Sequence, residues 1–321
     1  MTTSRFEGPE KKVELVVAPG TRSLRSHGRA AWERVVRAAG AQVLSVRSSD
    51  SADAYLLSES SLFVFDDHFT LITCGRTRMA DAVVAALEFV DPETVVFLAL
   101  ERKNEHFPRD QPTTFEDDAA RLHGLLPGEA LRFGDEHSHC IQLFHTTRPY
   151  VPDLADTTLE VLMHGILDTG GAFQGSTEEI CGRARELGLH DLYPGHDVDC
   201  YAFAPGGYSL NALRDDRYYT LHVTPEEVGS YVSFETNADL RAPKAIQETV
   251  ERVVGVFQPE SFDVFAFVPG ATAPLEVTCA GYRLRKHASA QVSGFQVSFL
   301  HLFAPSEGPA PPFRMPLPSP V

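Results

Sequence analysis

The chain is short of cysteine, short of basic residues and without a long apolar run, and each shortage excludes something. Only five cysteines occur among 321 residues: Cys74, Cys140, Cys181, Cys200 and Cys279. They are scattered, odd in number and form no CxxC pair, which speaks against a disulfide framework or a zinc knuckle and for a reducing compartment. Lys and Arg number 28 against 44 Asp and Glu, a net charge of −16 with no basic cluster. Nucleic acid and acidic membrane surfaces are therefore not expected as partners. No stretch approaches membrane-spanning length, and the N-terminus has no apolar signal core, so a cytoplasmic protein is expected. A Walker motif and a GxGxxG after a strand are both missing, which leaves a nucleotide-phosphate fold without support.

What is present is an ordinary globular composition, 43% hydrophobic and 22% charged, long enough for one large domain or two ordinary ones. Val13–Ala18 reads as a strand, Arg29–Ala39 as a helix with Trp32, Val35, Val36 and Ala39 on one face, and Gln42–Val46 as a strand. Helices are predicted over Thr77–Phe89, Thr114–Leu125, Thr177–Leu187 and Pro243–Phe257, with strands between them. Late strands are read at Phe262–Val268, Leu275–Cys279, Tyr282–Lys286 and Gln291–Phe299. Residues 304–321 are crowded with proline and are read as a disordered tail. One internal echo stands out. Ser61-Leu62, Asp66-Asp67 and Phe69–Thr73 parallel Ser209-Leu210, Asp215-Asp216 and Tyr219–Val223. In that register Ser209 answers Ser61 and His222 answers Ile72, which suggests two similar halves, each an antiparallel sheet with helices on one side.

Tyr55–Val64 is the unusual stretch, a strongly β-forming run interrupted by Glu59-Ser60-Ser61. Two readings are open for it. It is a strand with one polar face or a loop between strands, or it is a site where Ser60 attacks the carbonyl of Glu59 and the backbone is cut.

Five motifs bear on that choice: Leu57–Ser61, Thr73–Gly75, Pro205–Asn211, His222–Glu226 and Tyr231–Asn237, with Phe6-Glu7-Gly8 and Asp191–Gly195 in support. Together they resemble the eukaryotic-type S-adenosylmethionine decarboxylase family, in order, from about residue 6 to about residue 300. The resemblance implies an α+β fold: an internally duplicated four-layer α-β-β-α sandwich of two antiparallel sheets with outer helices. It would occupy residues 1–303 as a single domain, with halves of about 1–165 and 166–303. It also implies a pyruvoyl cofactor made from Ser60 by self-cleavage, giving a light chain 1–59 and a heavy chain 60–321; neither PLP nor a metal is implied.

The chemistry makes such a cofactor intelligible. Decarboxylating an α-amino acid leaves an electron pair on Cα, and a carbonyl condensed with the substrate amine is the sink for it. The family pattern assigns His222 as the base that takes the Ser60 Cα proton, Ser209 as the hydrogen-bond partner of the processing intermediate, and Cys74 as the donor that protonates the product carbon. Glu59 becomes the new C-terminus. Phe6 and Phe203 match an adenine sandwich, with Glu7 in the same wall. Leu57 matches the backbone facing the adenine edge, and Glu226 the acceptor of both ribose hydroxyls. Glu14, Arg102, Asp156, Glu160 and Glu235 match a buried acidic site that binds a diamine effector, putrescine. Ile72 stands where diamine-activated relatives carry lysine, and Arg102 is expected to supply the counter-charge. The family includes monomers and dimers, so a homodimer stays open.

His137, His139, Cys140 and His145 invite a metal, but no fourth acid completes a familiar site. Two other functions compete. A pyruvoyl-dependent ornithine or arginine decarboxylase should lose Phe6, Phe203 and Glu226, and a non-catalytic regulatory paralogue should lose Glu59-Ser60, Cys74 or His222. All of these are retained.

Overall fold

A computed structural model describes residues 6–166, 173, 175–204, 206–226, 229–242, 244–305 and 308. The proline-rich end read as a disordered tail lies almost wholly outside them. Two eight-stranded antiparallel sheets organise the rest. The first runs, in spatial order, Val43–Ser48 (β2), Ala52–Leu57 (β3), Ser60–Phe65 (β4), His68–Thr73 (β5), Lys11–Val17 (β1), Val95–Lys103 (β6), Cys140–Thr146 (β8) and Gly128–Gly134 (β7). The second runs Asp197–Ala202 (β10), Tyr208–Arg214 (β11), Arg217–Thr224 (β12), Tyr231–Thr236 (β13), Thr158–His164 (β9), Ser261–Pro269 (β14), Phe295–Phe303 (β16) and Arg283–Val292 (β15).

The two strand orders are the same when eight is added to each number, so the halves are duplicated in topology. This duplication corrects the register of the sequence echo. The β3–β4 hairpin corresponds to β11–β12, and β4–β5 to β12–β13. The echo paired β4–β5 with β11–β12 because both carry an Asp-Asp turn, a local feature that any hairpin can acquire. The division between sheets falls between Thr146 and Thr158, ahead of residue 165, because β9 pairs with β13 and β14 at the centre of the second sheet.

Helices Arg29–Ala39 (α1), Met79–Ala86 (α2) and Phe115–His123 (α3) cover the outer face of the first sheet. Thr177–Glu186 (α4) and Ala245–Phe257 (α5) cover that of the second. Helix α1 shows the local logic. Trp32, Val35, Val36 and Ala39 are buried on one face, and Gly40 ends the helix at φ 93°, a left-handed conformation that costs a glycine nothing. With helices outside and the other sheet inside, strands such as Ser60–Phe65 are buried along their whole length. Between the sheets lie two apolar clusters. One is built on β3, β4, β11 and β12, where Phe63 stacks on Tyr218 at 4.0 Å. The other is built on β1, β6–β9 and β13–β16.

Two late elements differ from expectation. Leu275–Cys279 is not a strand. The Leu275 amide donates to Ser298 Oγ, and Leu275 and Val277 pack into the helix-side core, so their spacing served packing rather than pairing. The last two strands form one long hairpin that turns at Ser293-Gly294, both at positive φ (45° and 88°), the signature of a tight two-residue hairpin turn.

Candidate active site

Residues Ser58 and Glu59 form the two-residue turn of the β3–β4 hairpin, with Leu57 opposite Ser60. Ser60 begins β4, is 1% exposed, and has φ 135°. That backbone conformation is sparsely populated for any residue with a Cβ and costs on the order of 1–3 kcal/mol. The returning strand β5 delivers Cys74 beside it. Ser60 Oγ donates to Cys74 Sγ at 3.4 Å. The Glu59 carbonyl accepts from the Cys74 amide at 2.8 Å and from its thiol at 3.3 Å. The peptide bond between Glu59 and Ser60 thus has a nucleophile on one side and two donors on its carbonyl oxygen. Burial, then the neighbouring Glu59, push the Cys74 thiol up, so it stays protonated at neutral pH.

His222 lies on β12, across the gap between the sheets. Its Nδ1 is 2.9 Å from Ser209 Oγ, and its Nε2 is 2.9 Å from Thr220 Oγ1 and 3.2 Å from Ser61 Oγ. Ser61 also donates to Asn211 Oδ1 at 2.5 Å, and Asn211 Nδ2 donates to the Tyr55 carbonyl at 3.1 Å. The structure therefore brings His222 and Ser209 together, and joins them to the hairpin through Ser61 rather than through Ser60. Ser61, Asn211 and Thr220 are participants that the sequence reading left out. For Asn211 and Thr220 the available signal was their alternation with Ser209 and His222 along β11 and β12, because residues two apart share a sheet face. Burial holds the His222 imidazole down at about 3, so it is neutral throughout the physiological range.

Phe6, half-buried, lines the same region. A Cβ added at Gly75 would lie 2.5 Å from Glu59 Oε2 and 3.3 Å from the Phe6 ring, so only glycine (φ 66°) allows this approach. Glu59 Oε2 is buried without a hydrogen-bond partner, and burial raises the carboxyl to about 7. Glu7 is used differently from a free wall residue. Its two carboxylate oxygens accept from the His106 and Phe107 amides, each at 2.8 Å, and its carbonyl accepts from the Gly75 amide. Phe203 follows β10, its amide bonded to the Gly207 carbonyl. Glu226 is half-buried beyond β12, with its carboxyl raised by burial. The Leu57 side chain is buried in the outer core, leaving its backbone as what it presents here.

A charged layer continues along the centre of both sheets. Lys12 Nζ lies 3.0 Å from Glu160, 3.2 Å from Glu235 and 3.7 Å from Glu101. Lys103 Nζ lies 2.6 Å from both Glu101 and Glu160. Burial alone would protonate Glu160, but Lys103 and Lys12 hold it well below the usual carboxylate range; burial and the Glu160 charge raise Glu101 to about 8. Glu14 and Asp156 are both raised by burial, Glu14 to about 7 with Asp156 as its next cause. Asp156 lines a cleft of about 990 Å³ with Asp66, Asp67, Asp153, Asp216 and Tyr150; the far end of β4 reaches it through Phe65, but Ser60 takes no part in its walls.

Arg102 is not the counter-charge. It pairs with Asp118 of α3 at 3.0 Å and with Glu105 at 2.6 Å, on the helix side of the sheet. Successive residues of β6 face opposite ways, so Glu101 and Lys103 point inward and Arg102 between them points outward. Among the described residues the inward cations at this cluster are Lys12 and Lys103.

Comparison with known proteins follows the same line. A family model described as adenosylmethionine decarboxylase matches residues 3–301. The S-adenosylmethionine decarboxylase proenzyme of Xenopus laevis is 34% identical over 283 residues, covering 82% of this chain and 83% of that protein. The proenzymes of Dictyostelium discoideum (32% over 282 residues, 80% and 73%) and Drosophila melanogaster (31% over 288 residues, 82% and 82%) are similarly close. The crystal structure of the Trypanosoma brucei AdoMetDC-delta26 monomer superposes with a TM-score of 0.58 at 21% identity, over 76% of this chain and 99% of that one. At that identity it bears on the sandwich fold alone.

Proposed function

The chain belongs to the adenosylmethionine decarboxylase family, and from that premise we propose that it is a self-processing enzyme that cuts itself at Glu59-Ser60 and converts S-adenosylmethionine to S-adenosylmethioninamine and CO₂ for polyamine synthesis. The observation that carries this reading is Ser60 itself: a strained serine, its hydroxyl at Cys74, beside a peptide carbonyl already held by two donors.

Processing follows from these groups. Ser60 Oγ adds to the Glu59 carbonyl carbon, the C–N bond breaks, and the Cys74 amide and thiol stabilise the oxyanion in between. The product is an ester with a free amine on residue 60. His222, neutral and held by Ser209 and Thr220, is the base for the Ser60 Cα proton once the shift has moved residue 60; the electron pair expels Glu59 as a carboxylate. Addition of one water to the remaining dehydroalanine releases ammonia. The residues present therefore fit a pyruvoyl group at position 60. When formed, that group supplies an electron sink for the pair left by the departing carboxylate.

The chain's own residues do the rest. Phe6 and Phe203 flank the adenine, Glu226 accepts the ribose hydroxyls, and the unpartnered Glu59 oxygen awaits a donor. Cys74, kept as a thiol, delivers the proton to the product carbon. Its partners are thus S-adenosylmethionine and its own two fragments, and its unpaired cysteines suit the cytoplasm. CO₂ release measured in parallel from S-adenosylmethionine, ornithine and arginine should occur with the first alone. Comparable turnover of either free amino acid would replace this reading with the rival decarboxylase.

The pH dependence of processing offers a separate check. A lowered imidazole keeps its basic form as pH falls through 6.5 and loses it only near 3. Cleavage followed on denaturing gels should therefore show no midpoint near pH 6.5. A tenfold loss per pH unit below that point would mean that His222 titrates as a solvent-exposed imidazole.

The diamine site carries its own ammonium groups in this reading. Lys12 and Lys103 stand among Glu101, Glu160 and Glu235, so added putrescine is not needed there.

A further inference from the structure

Beyond the charged layer, the space between the sheets holds a second polar cluster that the decarboxylation does not use. His139, on the turn between β7 and β8, comes from the first sheet. His164 at the end of β9, Asp263 on β14 and His301 on β16 come from the second. His139 Nδ1 is 3.1 Å from Asp263 Oδ2, and His164 Nε2 is 3.6 Å from the same oxygen. One donor atom from each of the three residues falls within 4.8 Å of the others.

We propose that His139, His164 and Asp263 form a binding site for a divalent transition-metal ion of the zinc class, which ties the two sheets together. Ligands at about 2.0–2.2 Å from a tetrahedral ion stand roughly 3.3–3.6 Å from one another, close to the two spacings on Asp263. Two imidazoles and one carboxylate are a donor set for zinc, cobalt or nickel rather than for magnesium or calcium.

Three further features support the site. The His164 Nε2 is buried without a hydrogen-bond partner, a state that a metal bond would relieve. The second carboxylate oxygen of Asp263 is held by His301 Nδ1 at 2.7 Å, and the His301 ring stacks on His139 at 3.9 Å, so the ligands are oriented by a neighbour that does not itself need to bind. His106, whose Nδ1 is also buried and unpartnered, lies with its ring 6.0 Å from that of His164 and is the candidate for the fourth position. Its amide is the one gripped by Glu7, next to Phe6. Occupancy would brace the segment that forms one wall of the substrate site.

The experiment uses the full untagged chain after treatment with a chelator. Titration with Zn²⁺ by calorimetry, and with Co²⁺ by its visible absorption, should give one equivalent per chain, a tetrahedral cobalt spectrum and a raised melting temperature. Asp263→Asn and His139→Gln should each weaken Zn²⁺ binding at least 100-fold. His139 lies on a turn, so His139→Gln keeps the test valid if Asp263→Asn does not fold. No bound equivalent in the wild type, binding that survives His139→Gln, or equal affinity for Mg²⁺ would each overturn the site.

Discussion

Ser60→Ala should migrate as one chain of 35.3 kDa and release no CO₂, where the wild type should give residues 1–59 and 60–321 as two bands, the larger with a blocked N-terminus. The substitution removes only Oγ. Alanine meets the same backbone strain at φ 135° as serine does, and the lost hydrogen bond is a single long contact to a thiol. Stability should therefore change by no more than about 1 kcal/mol. Melting temperature and gel pattern read together separate chemistry from folding. A variant that melts like the wild type yet stays uncut places the nucleophile at Ser60. A cut or active variant would refute the account of the hairpin.

Lys12→Ala should be the most damaging single change in the charged layer. Lys12 is 2% exposed and touches three glutamates, of which Glu160 would keep Lys103 while Glu235 would keep only the Tyr218 hydroxyl at 2.5 Å. Removing one partner of a buried ion pair costs about 3–5 kcal/mol, because the other charge stays behind. The second expectation concerns small cations. Wild-type turnover should be the same with and without millimolar putrescine, since both ammonium positions are filled from within. Lys12→Ala should recover stability and turnover when putrescine is added, because a diammonium chain can replace what was removed. Strong stimulation of the wild type would sink the idea that the chain supplies its own cations. A variant that putrescine does not help would confine Lys12 to a packing role.

Much of the proposed site was legible in the sequence because its residues travel in short motifs. Glu59-Ser60, Thr73–Gly75 and His222–Glu226 each place a functional group within a few residues of a turn or strand end, where local chemistry shows. The charged layer was harder. Arg102 was expected to be the counter-charge because it belongs to the constellation that matches the family's diamine site, but strand alternation turns it toward α3 and turns Lys103 inward. Lys12 is the inward neighbour of Glu14 by the same period of two, and it contacts acids from the opposite sheet that no sequence spacing reveals. In the second network, Asn211 and Thr220 could be read from their alternation with Ser209 and His222, but their link to Ser61 crosses between the sheets and shows in no sequence spacing. His139 and Asp263, 124 residues apart, meet only when the sheets stack. The late strands failed differently. Leu275 and Val277 alternate like a strand, yet they bury their side chains under a helix-side core while a serine takes the amide.

The position of β1 has a consequence for how the molecule is made. Residues 1–59 contain β1, β2 and β3, and β1 sits between β5 and β6 in the middle of the first sheet. If the hairpin is cut as proposed, the smaller fragment is threaded through the larger one and held by ladders on both sides of β1. It cannot leave without opening the sheet. Assembly is unimolecular before cleavage and bimolecular after it. Maturation would thus act as a ratchet: the intact chain can find its fold at any dilution, whereas a cleaved molecule that unfolds must wait for two pieces to meet, and its recovery should fall as concentration falls.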